Sequence, residues 1–280
     1  MEDVKKKTIP QVSIIMGIYN CEDTLEEAIE SILRQTFTDW EFIMCDDGST
    51  DQTLEIAQKY SKKYPDKFIV IKNRKNRGLN YTLNHCLKYA RGEYIARMDG
   101  DDLSLPNRFE EEVRFLDNHS EYAIVSSPMI FFDDQGDWGC SKAIERPQIK
   151  DFVNHAPFHC HAPCMIRREA YQAVGGYTID KKLLRFEDCN LWYKLYAAGY
   201  RGYNLQEPLY KMRDDRNAFN RRTPSSRMRG VYVQWKGFRL IKMPLRYYPF
   251  LLIEFLKDLM IVLMPEWLYT IMHKKKQRAK

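Results

Sequence analysis

Three aspartates stand close together in the string Asp99-Gly100-Asp101-Asp102. The string follows a short apolar run, so its carboxylates are expected at the end of a buried strand. Carboxylates this close repel one another, and a hard divalent cation relieves that repulsion. Mg²⁺ and Mn²⁺ prefer such oxygen ligands and often hold substrate phosphates at the same time. The string therefore predicts a site for a metal ion and a diphosphate, with a simple acidic turn as the alternative.

Two more polar strings follow predicted strands. Tyr19 and Asn20 come after the apolar run 12–18, and Asp46-Asp47-Gly48-Ser49 comes after the run 40–45. Asp46 is expected to accept hydrogen bonds from a nucleobase or a ribose, because it ends its strand. The position of Ser49 predicts that its side chain caps the next helix.

Another acidic pair, Glu187-Asp188, precedes an apolar helical pattern that stops at Gly199. Acidic side chains in the first turn of a helix are stabilised by the helix dipole, which is one explanation of the pair. The other explanation is a carboxylate that acts as a general base and faces the metal site. Spacing alone leaves both explanations open.

The elements that must position these residues alternate regularly in the first part of the chain. Apolar runs of strand length alternate with helical patterns at 12–18, 24–35, 40–45, about 52–62, 68–71, 79–90 and 94–98. Thr24-x-x-Glu27 has the pattern of a capping box at the start of the first helix. This alternation predicts an α/β fold with a parallel sheet covered by helices on both faces. Ligands bind at the carboxyl ends of the strands in such sheets, which is where the acidic strings lie.

Composition indicates a globular protein of the cell interior. Of the 280 residues 44% are hydrophobic and 29% charged, which excludes disordered, collagen-like and low-complexity classes. The seven cysteines contain no Cys-x-x-Cys pair and indicate reduced thiols. The lysine-rich N-terminus lacks the apolar segment of a secretory signal, so we expect a cytoplasmic location.

Charge divides the chain into two parts. Residues 1–210 carry 27 basic and 33 acidic side chains, whereas residues 211–280 carry 17 basic and 5 acidic ones. We expect a catalytic domain over 1–210 and a basic, amphipathic helical extension over 211–280. Its apolar stretch is shorter than the about 20 residues of a membrane span, so 245–280 is predicted to lie on a membrane surface. Packing on the catalytic domain or a homo-oligomer interface are the alternatives. Without a recognition module, nucleic acid is not an expected partner.

Eight strings in this order resemble glycosyltransferase family 2 and its GT-A fold. They span about two thirds of the chain and are 12–20, 46–51, Asn76-Arg77-Gly78, 92–95, 98–102, 161–168, Gly175-Gly176-Tyr177 and Glu187-Asp188. The resemblance implies a Rossmann-like nucleotide-sugar half over about 10–102, fused to an acceptor-binding half over 103–210.

The resemblance also implies the reaction, an inverting and metal-dependent transfer of one sugar from a nucleotide-sugar, commonly a UDP-sugar, to an acceptor hydroxyl. Asp188 would be the base, and Asp101 with Asp99 would hold Mn²⁺ or Mg²⁺. The residues implied in donor binding are Tyr19, Asn20, Asp46, Asp47, Gly78, Asp99 and Asp101.

The acceptor implied by the resemblance is a glycan or glycolipid precursor of a bacterial surface polysaccharide, at the inner face of the cell membrane. Candidate acceptor-side residues are Glu187, His161 and Asp102. Members that build long polymers carry a Gln-x-x-Arg-Trp motif and membrane spans. Gln234-Trp235-Lys236 resembles that motif only superficially, which favours addition of a single sugar.

Three other interpretations stay open. A sugar-phosphate nucleotidyltransferase would need a Gly-rich, basic loop after the first strand, where this chain has Tyr19-Asn20-Cys21-Glu22. An inactive GT-A scaffold is less consistent with intact Asp101 and Asp188. A zinc site could use His155, His159, Cys160, His161 and Cys164, but their spacing fits no structural zinc pattern. The Arg-rich segment 211–229 is expected either to close over the donor or to be a solvated linker.

Overall fold

The computed structural model describes residues 9–153, 158–214 and 224–263 of the chain. The strands are β1 (Val12–Ile18), β2 (Trp40–Asp46), β3 (Phe68–Lys72), β4 (Tyr94–Arg97), β5 (Leu103–Ser104), β6 (Ile124–Ser126), β7 (Met129–Asp133), β8 (Gly136–Cys140), β9 (Met165–Arg167), β10 (Gly202–Asn204) and β11 (Tyr210–Arg213). The helices are α1 (Glu22–Leu33), α2 (Thr53–Lys63), α3 (Leu79–Leu87), α4 (Arg108–Asn118), α5 (Arg168–Ala173), α6 (Glu187–Ala197), α7 (Pro224–Leu240) and α8 (Tyr248–Leu263). Short 3-10 helices lie at Ile149–Val153, Lys181–Leu183 and Leu245–Tyr247.

Seven strands form the main sheet, in the order β10-β6-β9-β4-β1-β2-β3. β1 pairs in parallel with β2 and β4, and β2 pairs in parallel with β3, which confirms the predicted α/β unit. β9 runs antiparallel between β4 and β6, a feature that the sequence pattern did not predict. Through β9 the two predicted halves of the catalytic domain share one continuous sheet.

The main sheet is packed on both faces. Ile14 and Met16 of β1 belong to one apolar core, which includes Ile29 of α1. Ile15 belongs to the opposite core, which includes Leu83 of α3. Successive strand residues point to opposite faces. The nearly unbroken apolar run of β1 therefore contributes to two cores at once, and the sheet lies between helices.

Two predicted helix caps are wrong. α1 begins before Thr24 and α2 begins after Ser49, so neither side chain caps a helix. The Thr24 hydroxyl instead donates to the carbonyl of Gly100 at 2.9 Å, and the Ser49 hydroxyl accepts the N–H of Asn20 at 3.1 Å. Both residues tie together the loops at the strand ends, because those loops approach each other across the sheet.

A smaller sheet of four strands has the order β5-β11-β7-β8. β11 pairs antiparallel with β5, the strand that directly follows the acidic string, and parallel with β7. Since β11 spans Tyr210–Arg213, it crosses the domain boundary predicted at residue 210. The chain thus returns to the acidic string before the C-terminal extension begins.

The extension contains two helices, α7 and α8, as its composition predicted. Val233, Phe238 and Leu251 are buried in the same core as Leu191 of α6, so the helices pack on the catalytic unit. In the part of the chain that the structure describes, no helix combines the length and apolar character needed to cross a membrane. Residues 215–223 of the predicted basic segment 211–229 and residues 264–280, the basic end of 245–280, lie outside the described residues.

Candidate active site

The carboxyl ends of β1, β2 and β4 meet at one edge of the main sheet. β1 is hydrogen-bonded to β2 on one side and to β4 on the other, so the loops that follow them converge. This edge brings together Asn20, Asp46 and the acidic string 99–102, as the sequence predicted. It has the position of a ligand site in an open α/β sheet.

The loop after β1 presents Tyr19 and fixes Asn20. The Tyr19 side chain is 48% exposed, so its ring is free to stack on a ligand. Asn20 has φ 47°, in the left-handed region that asparagine tolerates better than most residues. Its Oδ1 accepts the N–H of Thr50 at 2.9 Å. Asn20 therefore connects the end of β1 with the loop after β2.

Asp46 shapes the loop after its own strand. Its side chain is buried, and its two carboxylate oxygens accept the N–H groups of Gly48 and Ser49, each at 3.2 Å. Gly48 has φ 82°, and a Cβ there would meet the backbone of Lys75 and Asn76. Asp46 thus builds the turn whether or not it also contacts a nucleoside.

Asp47 organises the start of α3. Its Oδ1 accepts the amide of Asn73 at 2.7 Å and the N–H of Arg77 at 2.9 Å, while its Oδ2 accepts the N–H of Gly78 at 2.8 Å. Gly78 precedes α3 with φ 86°, a conformation that favours glycine. These contacts show that Asp47 and Gly78 stabilise the loop before α3. The donor-binding role predicted for them stays a prediction.

The three aspartates of the acidic string occupy different environments. Asp102 is buried, Asp99 is partly exposed and Asp101 is exposed. Desolvation by the surrounding loops, followed by the charge of Asp99, raises the pKa of Asp101. Two acidic oxygen donors on an open edge suit Mg²⁺ or Mn²⁺. Within the described ranges, no group of three or more His, Cys, Asp and Glu side chains could hold a metal ion. Water and donor phosphates would have to complete the coordination.

Asp102 lies beneath this edge. Its carboxylate accepts the N–H of Arg213 at 2.8 Å, and burial, followed by the charges of Asp99 and Asp101, raises its pKa well above the usual range. Arg213 also donates from Nε to the carbonyl of Asp101 at 3.2 Å and from Nη2 to Glu27 at 2.8 Å. Asp102 and Arg213 thus hold the acidic loop in place. This arrangement favours a structural role for Asp102 over the acceptor contact that was predicted for it.

Asp188 and Glu187 lie in the first turn of α6. The Asp188 Oδ1 accepts the N–H of Cys189 at 2.8 Å. Burial raises the pKa of Asp188, while that N–H and the charge of Arg97 partly oppose the rise. Burial also raises the pKa of Glu187, whose Oε1 accepts the N–H of Arg185 at 3.0 Å. A raised pKa makes a carboxylate a better proton acceptor, as a general base requires.

His161 belongs to a hydrogen-bonded chain of rings. Its Nε2 lies 2.8 Å from the Tyr177 hydroxyl, which lies 3.0 Å from the Tyr171 hydroxyl. Burial, followed by the charge of Arg97, holds the pKa of His161 well below its usual range, so the ring is neutral near pH 7. Its predicted contact with an acceptor stays a prediction.

His159 is a core residue. Its two ring nitrogens lie 2.7 Å from Asn204 Oδ1 and 3.1 Å from the Tyr196 hydroxyl, and burial lowers its pKa to about 4. Both nitrogens are thus used within the protein. His155, the other histidine of the considered zinc cluster, lies outside the described residues.

Sequence reasoning missed Arg97 and the contact that Arg213 of the predicted basic segment makes with the acidic string. Arg97, at the end of β4, donates from Nη2 to Asp99 Oδ1 at 2.6 Å. Its signal was visible, because a charged residue in an apolar strand needs a buried partner. The contact of Arg213 carried no such signal, since its partner Asp102 is 111 positions away in the chain.

A Rossmann-like sheet with carboxylates at its strand ends and a second acidic pair at the start of α6 is the arrangement implied by the resemblance to GT-A glycosyltransferases. Residues 13–175 match the family described as Glycosyl transferase family 2. The chain belongs to this family.

Two relatives extend the comparison. EpsE of Bacillus subtilis (strain 168), whose name carries a provisional glycosyltransferase assignment, is 44% identical over 267 residues, which cover 95% of this chain and 94% of EpsE. WfaP of Escherichia coli is named UDP-Glc:alpha-D-GlcNAc-diphosphoundecaprenol beta-1,3-glucosyltransferase. It is 30% identical over 208 residues, or 72% of this chain and 77% of WfaP.

A solved structure shows the same fold. The mannosyltransferase PcManGT from Pyrobaculum calidifontis, in complex with GDP-Man and Mn²⁺, matches with a TM-score of 0.62 and 21% identity. The match covers 87% of this chain and 68% of PcManGT.

Proposed function

We propose that this glycosyltransferase catalyses an inverting, metal-dependent transfer of one sugar from a UDP-sugar to an acceptor hydroxyl. The observation that carries the proposal is the acidic string 99–102 at the carboxyl edge of the sheet, where Asp99 pairs with Arg97 at 2.6 Å and Asp101 is exposed. The start of α6 supplies a second acidic pair, Glu187 and Asp188. The acidic string is proposed to hold the donor, and the pair on α6 is proposed to supply the base.

The donor is proposed to lie along the edge formed by β1, β2 and β4. Tyr19 offers an exposed ring to the nucleobase. The adjoining wall of the proposed donor site is formed by the loops that contain Asn20, Asp46, Asp47 and Gly78. A UDP-sugar is the proposed donor because the name of WfaP specifies UDP-Glc.

Asp99 and Asp101 are proposed to hold Mn²⁺ or Mg²⁺. The fit rests on their oxygen donors and on the exposure of Asp101, and PcManGT binds Mn²⁺ in the same fold. Such a metal ion neutralises the charge that develops on the departing nucleoside diphosphate. Asp99 and Asp101 would hold the diphosphate end of the donor through that ion, since carboxylates alone would repel it.

Asp188 is proposed to be the general base. Its carboxylate takes the proton of the acceptor hydroxyl while that oxygen bonds to the anomeric carbon and the bond to the nucleoside diphosphate breaks. A single displacement of this kind inverts the anomeric centre. The N–H of Cys189 holds one oxygen of Asp188 at 2.8 Å, which fixes the carboxylate for the transfer.

The acceptor is proposed to be a lipid-linked precursor of a surface polysaccharide, since the name of WfaP specifies a diphosphoundecaprenol acceptor. Glu187 is proposed to contact the acceptor because it adjoins the base, with His161 as a second candidate. Asp102 is a weaker candidate, because its carboxylate is buried beneath the acidic loop.

A thermal-shift screen of nucleotide sugars with Mn²⁺ tests the donor proposal. A ligand that binds the native state raises the melting temperature by mass action. We expect UDP-sugars to give the largest rise and the best ligand to be hydrolysed slowly to UDP and free sugar. Release of pyrophosphate from a sugar 1-phosphate and UTP would instead identify a nucleotidyltransferase. Binding without hydrolysis or transfer to any lipid-linked acceptor would identify an inactive scaffold.

The outer face of α8 is proposed to lie on the cytoplasmic face of the cell membrane. Leu252, Leu256 and Met260 recur every fourth residue and are 59%, 48% and 64% exposed. Exposed Arg239, at the end of α7, and Arg246, just before α8, each have the guanidinium over an aromatic ring at 5.0 Å. An apolar stripe with basic and aromatic flanks suits a surface of anionic lipid headgroups.

Leu252→Glu with Leu256→Glu is expected to reduce co-sedimentation with vesicles that contain phosphatidylglycerol by at least about tenfold. Burial of one such side chain contributes about 1.5–3 kcal/mol, and a negative charge is repelled by anionic lipid. The control is Ile179→Glu, at a site of the catalytic unit that is equally exposed at 60%. An unchanged vesicle-bound fraction would reject the membrane surface, and loss of a dimer in light scattering would assign the stripe to an oligomer.

A further inference from the structure

Arg97 is a buried cation at the floor of the candidate site. It ends β4, a central strand of the main sheet, and its side chain is 6% exposed. A guanidinium stays charged at any physiological pH, so its burial is costly unless carboxylates balance it. Its Nη2 pairs with Asp99 Oδ1 at 2.6 Å, while its Nε is buried with no hydrogen-bond partner among the described residues.

The surroundings of Arg97 hold it in one position. Its N–H donates to the carbonyl of Cys164 in the neighbouring chain segment at 3.0 Å. Its carbonyl accepts Nη2 of Arg108 at 3.0 Å, and Arg108 is itself buried in an ion pair with Glu112 at 3.2 Å. Two layers of buried arginine thus fix the end of β4, and with it the start of the acidic string.

Asp99 is fixed from a second direction. Its N–H donates to the Tyr210 hydroxyl at 3.2 Å, so backbone and side chain of this residue are both held. The charge of Arg97 also favours the ionised forms of Asp101, Glu187 and Asp188, against the burial that disfavours them. Arg97 thus contacts Asp99 directly and acts on the other three carboxylates through its charge.

We propose that Arg97 is a positioning residue of sugar transfer, which holds Asp99 in place for donor binding. It is too deeply buried to touch a substrate, so it acts through Asp99. This inference rests on the proposed function.

The test compares Arg97→Met and Arg97→Lys with the matched control Arg91→Met. Arg91 pairs with buried Glu41 at the same distance, 2.6 Å, but lies before β4 at the opposite end of that strand. The measurements are UDP affinity by calorimetry with and without Mn²⁺, kcat and KM for hydrolysis of the donor found in the screen, and thermal melting.

We expect Arg97→Met to weaken Mn²⁺-dependent UDP binding and to lower kcat by about 10- to 100-fold each, as removal of an outer partner of metal ligands does elsewhere. Arg97→Lys is expected to restore the melting temperature but only part of kcat, because an ammonium lacks the planar fork that grips a carboxylate. Arg91→Met is expected to lower the melting temperature and to keep kcat and UDP affinity within about twofold of wild type, because it lies far from the site.

Folded Arg97 variants with unchanged kcat and UDP affinity would overturn the inference. So would equal losses in Arg91→Met, since the effect would then be one of stability alone. If Arg97→Met does not fold, the test rests on Arg97→Lys. Full kcat in that variant would reject the proposal that Arg97 positions Asp99. A wild-type protein that binds neither UDP nor a UDP-sugar would refute the proposed function instead, so the two failures are distinct.

Discussion

Asp188→Asn is expected to lower the turnover of sugar transfer by about a hundred- to ten-thousandfold, the usual contribution of a general base. An asparagine amide has nearly the same shape and can still accept the N–H of Cys189 through its oxygen. It cannot take up the acceptor proton. The fold should therefore survive while the chemical step is lost. Initial rates at saturating donor, with circular dichroism to verify folding, measure the effect.

The matched control for this variant is Glu187→Gln. Both carboxylates lie in the first turn of α6, and burial raises the pKa of both. Only Asp188 is proposed to be the base, so Glu187→Gln should affect the KM of the acceptor more than kcat. Wild-type turnover in Asp188→Asn together with a large loss in Glu187→Gln would move the base to Glu187.

The pH profile gives a second measure of the same base. Because burial raises the pKa of Asp188, its carboxylate becomes protonated at a higher pH than an ordinary aspartate, whose pKa is about 3.9. Only the ionised form accepts a proton, so kcat/KM should fall as pH decreases through this raised pKa. An acid limb that persists unchanged in the residual activity of Asp188→Asn would belong to another group.

The fold of the first part of the chain could be predicted because its periodicity is strong. β1 and β2 are mostly apolar, interrupted only by Ser13, Gly17, Glu41 and the final Asp46, and α1 and α3 carry regular apolar stripes. β9 could not be predicted, because three residues are too few to show a period. The helix starts were missed because Thr24 and Ser49 bond to neighbouring loops, a competition that no local pattern reveals.

The position of the site was predictable for a different reason. Parallel strands end at one edge, so residues at the ends of β1, β2 and β4 must meet there. The individual hydrogen bonds were not predictable, because they depend on loop backbones that are far apart in the chain. Asp47 joins a loop 31 positions away at Gly78, and Arg213 joins one 111 positions away at Asp102.

Asp101→Asn is expected to weaken Mn²⁺ binding in the presence of UDP and to lower turnover about a thousandfold, since a bound metal contributes several kcal/mol to stabilising a transition state. Its two neighbours are already engaged, because Asp99 pairs with Arg97 and Asp102 accepts the N–H of Arg213. The exposed carboxylate of Asp101 is therefore the one best placed to give its oxygens to a cation.

Asp134→Asn is the matched control, since Asp134 is an exposed aspartate that also pairs with Arg213, at 3.4 Å. It should keep Mn²⁺ affinity and turnover within about twofold of wild type, as surface ion pairs contribute little. Electron paramagnetic resonance of free Mn²⁺ measures the binding directly, independently of activity. Full Mn²⁺ binding by Asp101→Asn with UDP would mean that Asp99 and the phosphates hold the ion without it.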